Sequence, residues 1–345
     1  MRVLLTGGAG YIGSHTYVAL VAAGFDVVIV DDFSNSFPDV ISRLAWLTGE
    51  EVDHLRADIR DERAMEALFA ASSFDAVIHF AGRKSVPDSV QDPQGFFEAN
   101  TAILLSLLRV MERHGVHRLV YSSSAAVYGQ PSQLPITEDA PLAYTSPYGL
   151  SKVLGEQFVQ QKLRSAPHWC ASILRYFNPA GAHPSGLLGE APRHAGGNLM
   201  PVLAEVALGQ RPCFEICGSD FNTIDGTGLR DFIHVCDLAQ GHVRSLQRLL
   251  WRRDSHVVNL GRGQGVTVRQ VLDTYAAVCE RPIPWRLVPA RAGDVAASVA
   301  DTRLAGELLG FEAKRDLQLI CQSSWEWALR QYRMSETPKG RTSAA

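Results

Sequence analysis

The chain opens on the stretch Val3-Leu4-Leu5-Thr6-Gly7-Gly8-Ala9-Gly10-Tyr11-Ile12-Gly13-Ser14-His15. Three apolar residues lead into a glycine cluster, and an apolar, periodic segment continues to Ala23, which predicts a strand, a tight turn and a helix. Gly7, Gly10 and Gly13 are spaced so that one allows the turn, one lets the backbone approach a pyrophosphate and one lets the helix pack closely against the sheet. The helix N-terminus would present free N–H groups to the phosphates. A glycine turn without a ligand has the same spacing, so the rest of the chain decides between the two.

The composition is that of a globular protein with a sizeable core. The chain has 345 residues, 46% hydrophobic and 20% charged, and this length predicts roughly two domains. The net charge of −3 gives no electrostatic reason to expect nucleic acid or an acidic membrane surface as a partner. The apolar runs are too short to span a bilayer, and the first strand leaves no room for a signal peptide, so a cytoplasmic location is expected.

The cysteines and histidines give no indication of a metal site or of disulfides. There are no C-x-x-C pairs, and the eleven histidines form no cluster at metal-ligand spacing. We therefore expect no metal, and reduced thiols at Cys170, Cys213, Cys217, Cys236, Cys279 and Cys321.

The second predicted strand ends in a pair of acidic residues. A continuous apolar run from Phe25 to Val30 is followed by Asp31 and Asp32, and Asp31 lies 18 residues after Gly13. An acidic residue at this point accepts hydrogen bonds from a ribose 2′-hydroxyl and repels a 2′-phosphate, which favours NAD over NADP. The alternative is that Asp31 only caps the following loop.

Strands and helices continue to alternate through the first half of the chain. Further strands are predicted over 53–59, 76–80 and 118–121, the last running into Ser122-Ser123-Ser124, with helices over 64–71 and 95–114. This order predicts an α/β protein with a parallel, doubly wound Rossmann sheet. Ligands bind such sheets at the carboxyl ends of the strands, where the glycine loop, Asp31, Gly82 and Ser124 all fall.

A tyrosine and a lysine follow at helical spacing. Pro147 suits a helix start, and Tyr148 and Lys152 are four residues apart, so they share one helix face. The ammonium group is expected to lower the pKa of the phenol, so that Tyr148 can take and return a proton near neutral pH, with Ser124 sharing or relaying it. An exposed helical pair is the ordinary explanation of this pattern, but the glycine loop and Ser124 favour catalysis.

With these residues in place, the chain resembles the extended short-chain dehydrogenase/reductases, and among them the UDP-glucose 4-epimerases of the NAD-dependent epimerase/dehydratase family. The resemblance runs from Met1 to about residue 330. Besides the segments above it includes His79 to Gly82, Val127-Tyr128-Gly129, Arg175-Tyr176-Phe177-Asn178-Pro179, Gly181 to Gly186, Asn198-Leu199-Met200-Pro201, Asp225-Gly226-Thr227-Gly228 and Arg230 to Val235.

The resemblance implies reversible inversion of carbon 4 in UDP-glucose and UDP-galactose, a step of galactose metabolism, through a 4-keto sugar and bound NAD. It implies that Tyr148 is the base, helped by Ser124, and that Lys152 holds the cofactor ribose. The positions implied for NAD are Gly7, Gly10, Tyr11, Ile12, Gly13, Asp31, Asp32, Asn35, Ser36, Asp58, Ile59, Phe80, Ala81, Gly82, Lys84, Asn100, Ser122, Tyr148, Lys152 and Tyr176. Those implied for the UDP-sugar are Lys84, Ser124, Tyr148, Asn178, Asn198, Leu199, Arg230, Arg291, Asp294 and Ser298.

The same resemblance implies a division into two domains and a homodimer. An NAD-binding Rossmann domain is expected over 1–177, with returns to its sheet near 232–262, and a smaller α/β UDP-sugar-binding domain over 178–334. In the second domain, the segment after Asn178 would cover the cofactor, 266–278 would be a helix, and 335–345 a flexible tail. Family members commonly pair through the helices over 95–114 and 148–164.

Three alternative functions stay open in the sequence, the first being a net reductase that uses NADPH, which Asp31 disfavours. A 4,6-dehydratase or decarboxylase needs an additional acid beside the serine, where this chain has Ala125 and Ala126, and a non-catalytic NAD-binding regulator is disfavoured by the intact Ser124, Tyr148 and Lys152. Glucose-restricted family members are expected to carry tyrosine where this chain has Ser298, so N-acetylated UDP-hexosamines are a candidate second substrate. Phe232 in place of tyrosine is a milder departure.

Overall fold

The computed structural model describes residues 1–191, 198–291 and 293–336. Its strands are β1 (Arg2–Thr6), β2 (Asp26–Asp31), β3 (His54–Arg56), β4 (Ala76–His79), β5 (Arg118–Ser124), β6 (Cys170–Tyr176), β7 (Asn178–Ala180), β8 (Phe214–Cys217), β9 (Leu229–His234), β10 (His256–Leu260), β11 (Gly265–Thr267), β12 (Trp285–Val288) and β13 (Ala297–Ser298).

The helices cover both faces of the main sheet and build a smaller second unit. They are α1 (Tyr11–Ala22), α2 (Asp39–Thr48), α3 (Glu62–Ala71), α4 (Val86–Gln91), α5 (Pro93–Phe97), α6 (Ile103–Arg113), α7 (Pro147–Ser165), α8 (Leu199–Ala207), α9 (Val235–Arg252), α10 (Val268–Cys279), α11 (Arg303–Leu309) and α12 (Leu317–Glu336). Among the described residues, none of these helices has the length and apolar character needed to cross a bilayer. The predicted tail lies outside the described residues from position 337 onward.

Seven strands form one parallel sheet in the order β10-β6-β5-β4-β1-β2-β3. The predicted doubly wound Rossmann fold is therefore confirmed. Val3, Leu4 and Leu5 of β1 are fully buried, with Leu4 in a different apolar cluster from Val3 and Leu5, because successive side chains of a central strand point to opposite faces. The chain leaves β1 toward β2 and later returns to β4 on the other side, so the order reverses between β1 and β4, where such sheets bind ligands.

The predicted helix over 95–114 is present as a continuous helical segment, Pro93 to Arg113, but it is not one regular α-helix. α5 and α6 are separated by a π-helical turn, Glu98–Ala102, which contains the buried Asn100. The Asn100 amide bonds to the backbone of Arg83 and to the hydroxyl of Ser151, and the widened turn coincides with these inward contacts. Turns of this kind are frequent at functional sites.

The second unit has its own sheets and core. β9 pairs with β7, β11 and β13, and β8 pairs with β12, while α8, α10 and α12 supply the surrounding apolar cluster. β10 returns to the main sheet beside β6, as expected. In the expected return near residue 232, helix α9 packs against β5 and β6 of the main sheet, whereas the strand at this position, β9, pairs with β7 in the second unit.

Candidate active site

The glycine loop lies at the point where the strand order reverses. Gly7 has a φ of +71°, and a Cβ on it would lie 2.7 Å from the backbone nitrogen of Ala81, which follows β4. A Cβ on Gly13 would lie 2.5 Å from the carbonyl oxygen of Gly7. Both positions therefore require glycine for the packing of the protein itself.

Gly10 differs from its two neighbours in this respect. It is the residue before α1, its φ is −72°, and a Cβ on it would approach the Gly7 carbonyl oxygen at 3.3 Å, a much milder contact. A side chain at position 10 would therefore fit the surrounding protein without a severe clash. The bare backbone leaves the first N–H groups of α1, which lack intrahelical acceptors, open to an anionic group.

Asp31 is fixed against this loop at the end of β2. Its Oδ2 accepts a hydrogen bond from Ala9 N–H at 3.0 Å, and its Oδ1 accepts from Phe33 N–H at 2.8 Å and from the Ser36 hydroxyl at 3.0 Å. Burial raises the pKa of Asp31, and these donors oppose that effect. Since a carboxylate oxygen can accept two hydrogen bonds, Oδ2 has room for a ribose hydroxyl.

The other positions expected to bind the cofactor line the same edge of the sheet. Asp58 follows β3 and is paired with Arg60, whose hydrogen bonds hold the pKa of Asp58 below its usual range. The next residue, Ile59, is buried. Asp32 and Asn35 are exposed after β2. After β4, the Arg83 N–H donates to Asn100 Oδ1 at 2.8 Å, and Asn100 donates to the Ser151 hydroxyl at 2.9 Å. Asn100 therefore connects the loop after β4, which begins with Phe80, Ala81 and Gly82, to α7.

The structure brings Ser124, Tyr148 and Lys152 together. Ser124 ends β5, and its side chain lies near enough to Tyr148 to lower the pKa of the phenol, against the larger effect of burial. α7 begins at Pro147, with the Ser146 hydroxyl accepting the Gly149 N–H at 3.1 Å, so Tyr148 and Lys152 lie in its first turns. Lys152 Nζ donates to the Ser122 carbonyl at 2.8 Å and lies 6.0 Å from the centre of the Tyr148 ring.

The expected effect of Lys152 on the phenol is wrong. Burial raises the pKa of Tyr148 above its ordinary value, and the smaller effect of the nearby Ser124 opposes the shift. Burial also lowers the pKa of Lys152 to about 8. Desolvation disfavours the charged form of each group and outweighs their mutual attraction at this separation.

Sequence reasoning missed the carboxylate behind this pair. Glu156 lies one turn after Lys152 on α7 and is fully buried. It accepts hydrogen bonds from the Ser123 hydroxyl at 2.5 Å and from Arg175 at 2.9 Å and 2.7 Å. The i, i+4 spacing from Tyr148 through Lys152 to Glu156 was the available signal.

Residues of the predicted sugar-nucleotide site come from several elements. Asn178 begins β7, directly after Phe177, and the preceding Tyr176, predicted to bind the cofactor, ends β6 with its hydroxyl 2.5 Å from His242 Nε2. Lys84, after β4, and Asn198, before α8, both bond to Glu190, and Leu199 is the first residue of α8.

The remaining predicted positions lie around β9 and β13. Arg230 of β9 is in register with the buried Ser298 of β13. Arg291 pairs with Asp294 at 3.1 Å, and burial lowers the pKa of Arg230, with the Asp294 carboxylate opposing the shift. The structure thus gathers Arg230, Arg291 and Asp294 into one charged group.

One cluster of potential metal ligands was not indicated by the sequence. Glu112, His117 and His168 have ligand atoms within 4.8 Å of one another. Glu112, however, is already paired with Lys162 and accepts the Trp169 indole N–H at 2.7 Å. We assign this cluster to an ion-pair network, and it lies before β5 and β6, at the edge of the sheet opposite Ser124.

A glycine loop at the reversal of a doubly wound sheet, facing a tyrosine, a lysine and a serine at neighbouring strand ends, defines the class of short-chain dehydrogenase/reductases. More narrowly, the sequence model of the NAD dependent epimerase/dehydratase family matches residues 3–261, and the chain belongs to this family.

Three relatives place the chain within that family. It is 45% identical to the UDP-glucose 4-epimerase of Dictyostelium discoideum, over 94% of this chain and 95% of that protein. The crystal structure of UDP-glucose-4-epimerase from Stenotrophomonas maltophila, with bound NAD and formylated UDP-arabinopyranose, is 43% identical with a TM-score of 0.94, covering 97% of this chain and 99% of that one. The enzyme from Bifidobacterium longum, in complex with NAD+ and UDP, is 43% identical with a TM-score of 0.93, covering 96% and 99%.

Proposed function

We propose that this chain interconverts UDP-glucose and UDP-galactose by inverting carbon 4 of the hexose, with NAD as a resident cofactor. The observation that carries the proposal is the placement of Ser124 and Tyr148 side by side, with Ala125 and Ala126 supplying no acid next to the serine. Relatives named UDP-glucose 4-epimerase at this identity and coverage support the same activity.

The residues of the cofactor site fit NAD. Gly10 leaves the N-terminus of α1 open to a pyrophosphate, and Asp31 offers a fixed acceptor for a ribose hydroxyl and an unfavourable charge for a 2′-phosphate. When bound, NAD supplies a carrier that accepts hydride from carbon 4 and returns it to the opposite face of the sugar.

The chain's own residues handle the proton and hold the substrate. Tyr148 would take the proton of the 4-hydroxyl and later return it, with the neighbouring Ser124 assisting the transfer. Lys152, anchored on the Ser122 carbonyl, would stabilise the phenolate. Arg230 and Arg291 would bind the diphosphate of the sugar nucleotide, because a guanidinium group forms paired hydrogen bonds with phosphate oxygens.

The test is to supply UDP-galactose to the purified protein while following both the epimer formed and the absorbance of reduced nicotinamide. Appearance of UDP-glucose with only transient reduction is expected. Tyr148→Phe serves as the matched control that keeps the ring and removes the acid–base group. No epimer and no reduction in the wild type would overturn the proposal in favour of a non-catalytic NAD-binding regulator, and a dehydrated keto sugar would favour a dehydratase.

We also propose that N-acetylated UDP-hexosamines are accepted. Ser298 is small and buried in β13, opposite Arg230, and would leave space beside carbon 2 of the sugar. Ser298→Tyr should abolish turnover of UDP-GlcNAc while UDP-glucose turnover persists, with Ser298→Ala as the small control. Negligible UDP-GlcNAc turnover in both wild type and Ser298→Ala would contradict this specificity.

Finally, we propose a cytoplasmic homodimer paired through α6 and α7. All six cysteines are free, which suits a reducing compartment. Leu105 is 37% exposed on α6 and offers an apolar contact for a second copy. A charge at this position, Leu105→Glu, should shift the mass measured by light scattering from dimer to monomer, and a wild-type monomer would contradict the assembly.

A further inference from the structure

Glu190 lies where residues predicted to bind the cofactor meet residues predicted to bind the sugar nucleotide. Its Oε1 accepts a hydrogen bond from Lys84 Nζ at 3.0 Å and another from Asn198 Nδ2. One carboxylate oxygen therefore joins the loop after β4 to the start of α8. The Glu190 side chain is only 12% exposed whereas that of Lys84 is 50% exposed, so the carboxylate is the fixed member of the pair.

The position of Glu190 is set by packing against the last helix. The indole N–H of Trp327, on α12, donates to the Glu190 carbonyl oxygen at 3.1 Å. A Cβ on Gly189 would lie 2.4 Å from the Trp327 ring, so the ring packs directly on the backbone before Glu190. The backbone that carries the carboxylate is therefore fixed by α12, independently of the contact with Lys84.

The hydrogen bond from Asn198 to Glu190 is not a helix cap. Asn198 stands at the N-cap of α8, where an asparagine side chain ordinarily accepts a backbone N–H bond, yet its amide donates to Glu190. The Glu190 carboxylate is also close to Tyr11, the first residue of α1. Burial raises the pKa of Tyr11, and the charge of Glu190 raises it further. Lys84 lies 5.9 Å from the ring of the same tyrosine.

We propose that Glu190 is a positioning residue of the sugar-nucleotide site, whose carboxylate holds Lys84 and Asn198 in the arrangement that receives the anionic diphosphate of the substrate. An ionised carboxylate only accepts hydrogen bonds, so it orients both donors at once. Without it, Lys84 becomes a flexible cation and Asn198 is free to turn back onto α8. This inference rests on the proposed function.

The test uses the purified holoenzyme with the variants Glu190→Ala and Glu190→Gln. Glu190→Ala should raise the KM for UDP-glucose and the Kd of UDP about tenfold, the effect of losing one hydrogen bond to a charged group. Glu190→Gln keeps an acceptor for Asn198 and should give a smaller increase. The kcat and the unfolding temperature should stay near those of the wild type. Asp254→Asn is the matched control. It removes an ion pair with Arg248 just before β10, at the amino ends of the strands, whereas the site lies at their carboxyl ends.

A double-mutant cycle separates positioning from general stability. Lys84→Met and Asn198→Ala should be non-additive for UDP affinity when Glu190 is present and additive in Glu190→Ala. A KM and Kd in Glu190→Ala that match the wild type would overturn the inference, as would a loss of kcat that follows a lowered unfolding temperature. If the wild type converts no UDP-glucose, the proposed function fails, while calorimetric UDP affinity still decides the role of Glu190.

Discussion

Replacing Gly10 by valine should remove the cofactor while leaving the fold nearly intact. The φ of Gly10 is accessible to any residue, so the side chain imposes no backbone strain. The added Cβ meets only the Gly7 carbonyl oxygen at 3.3 Å, which relaxes with a movement of a few tenths of an ångström. Replacing glycine by valine at the N-cap should lower the free energy of unfolding by about 0.5–1 kcal/mol. The free energy of unfolding should therefore fall by about 1–2 kcal/mol at most.

The effect on cofactor binding should be much larger. The valine side chain would stand in front of the first N–H groups of α1, where the pyrophosphate binds. Loss of two charge-assisted hydrogen bonds, at about 1.5–3 kcal/mol each, weakens binding at least about 100-fold. A cofactor that survives purification in the wild type should then be absent from Gly10→Val.

The assay is the amount of NAD released per protein chain on acid denaturation, measured beside the unfolding temperature. Gly13→Ala is the contrasting variant, because its Cβ would lie 2.5 Å from the Gly7 carbonyl oxygen and 2.8 Å from Gly8 Cα, and backbone atoms cannot rotate away. It should lower the unfolding temperature clearly. Full NAD content in Gly10→Val would refute the reasoning, and so would a Gly10→Val protein as unstable as Gly13→Ala.

Three further predictions follow from the buried groups. Tyr148→Phe should lower kcat by at least about 100-fold with unchanged NAD content, checked by single-turnover kinetics. Glu156→Gln should lower the free energy of unfolding by about 3 kcal/mol in urea titrations, because Arg175 is left buried without a counter-charge, and the double variant E156Q/R175M should recover much of it. Burial lowers the pKa of His15, His79 and His234 to about 3, from 6.5. Below about pH 6.5 these histidines are protonated in the unfolded chain but stay neutral in the folded one. The free energy of unfolding should therefore fall on acidification by about 1.4 kcal/mol per pH unit for each histidine. Urea midpoints that stay constant between about pH 7 and pH 5 would contradict this.

The main sheet was predictable because its strands are continuous apolar runs between glycines and polar residues. β1, β2, β4 and β5 follow the predicted ranges closely. The third strand is shorter than predicted, since only His54–Arg56 finds a partner in β2, at the edge of the sheet. The pairing of β9 and the π-helical turn at Asn100 depend on contacts with distant residues, which local periodicity does not encode.

The candidate site was predictable where chemistry follows a fixed spacing. The glycine loop, Asp31, Gly82 and Ser124 fall at the carboxyl ends of the strands, as predicted, and Tyr148 and Lys152 lie in the first turns of α7, with Lys152 bonded to the Ser122 carbonyl. Glu190 gives no such signal, because it is separated from Lys84 by 106 residues and meets it only in the fold. The sign of the Tyr148 pKa shift was missed for the same reason, since burial is a property of the folded chain.

The corrected pKa of Tyr148 changes how the site must work. Burial favours the neutral forms of both Tyr148 and Lys152, so ionising either group alone is unfavourable. Charging one of them, however, favours charging the other, because opposite charges attract strongly where water is excluded. The Glu156 carboxylate raises the pKa of Lys152 against the effect of burial and so favours the ammonium form. Glu156 is itself held by Arg175 and Ser123, so this buried ion pair favours the ammonium form of Lys152 and, through that charge, the phenolate of Tyr148.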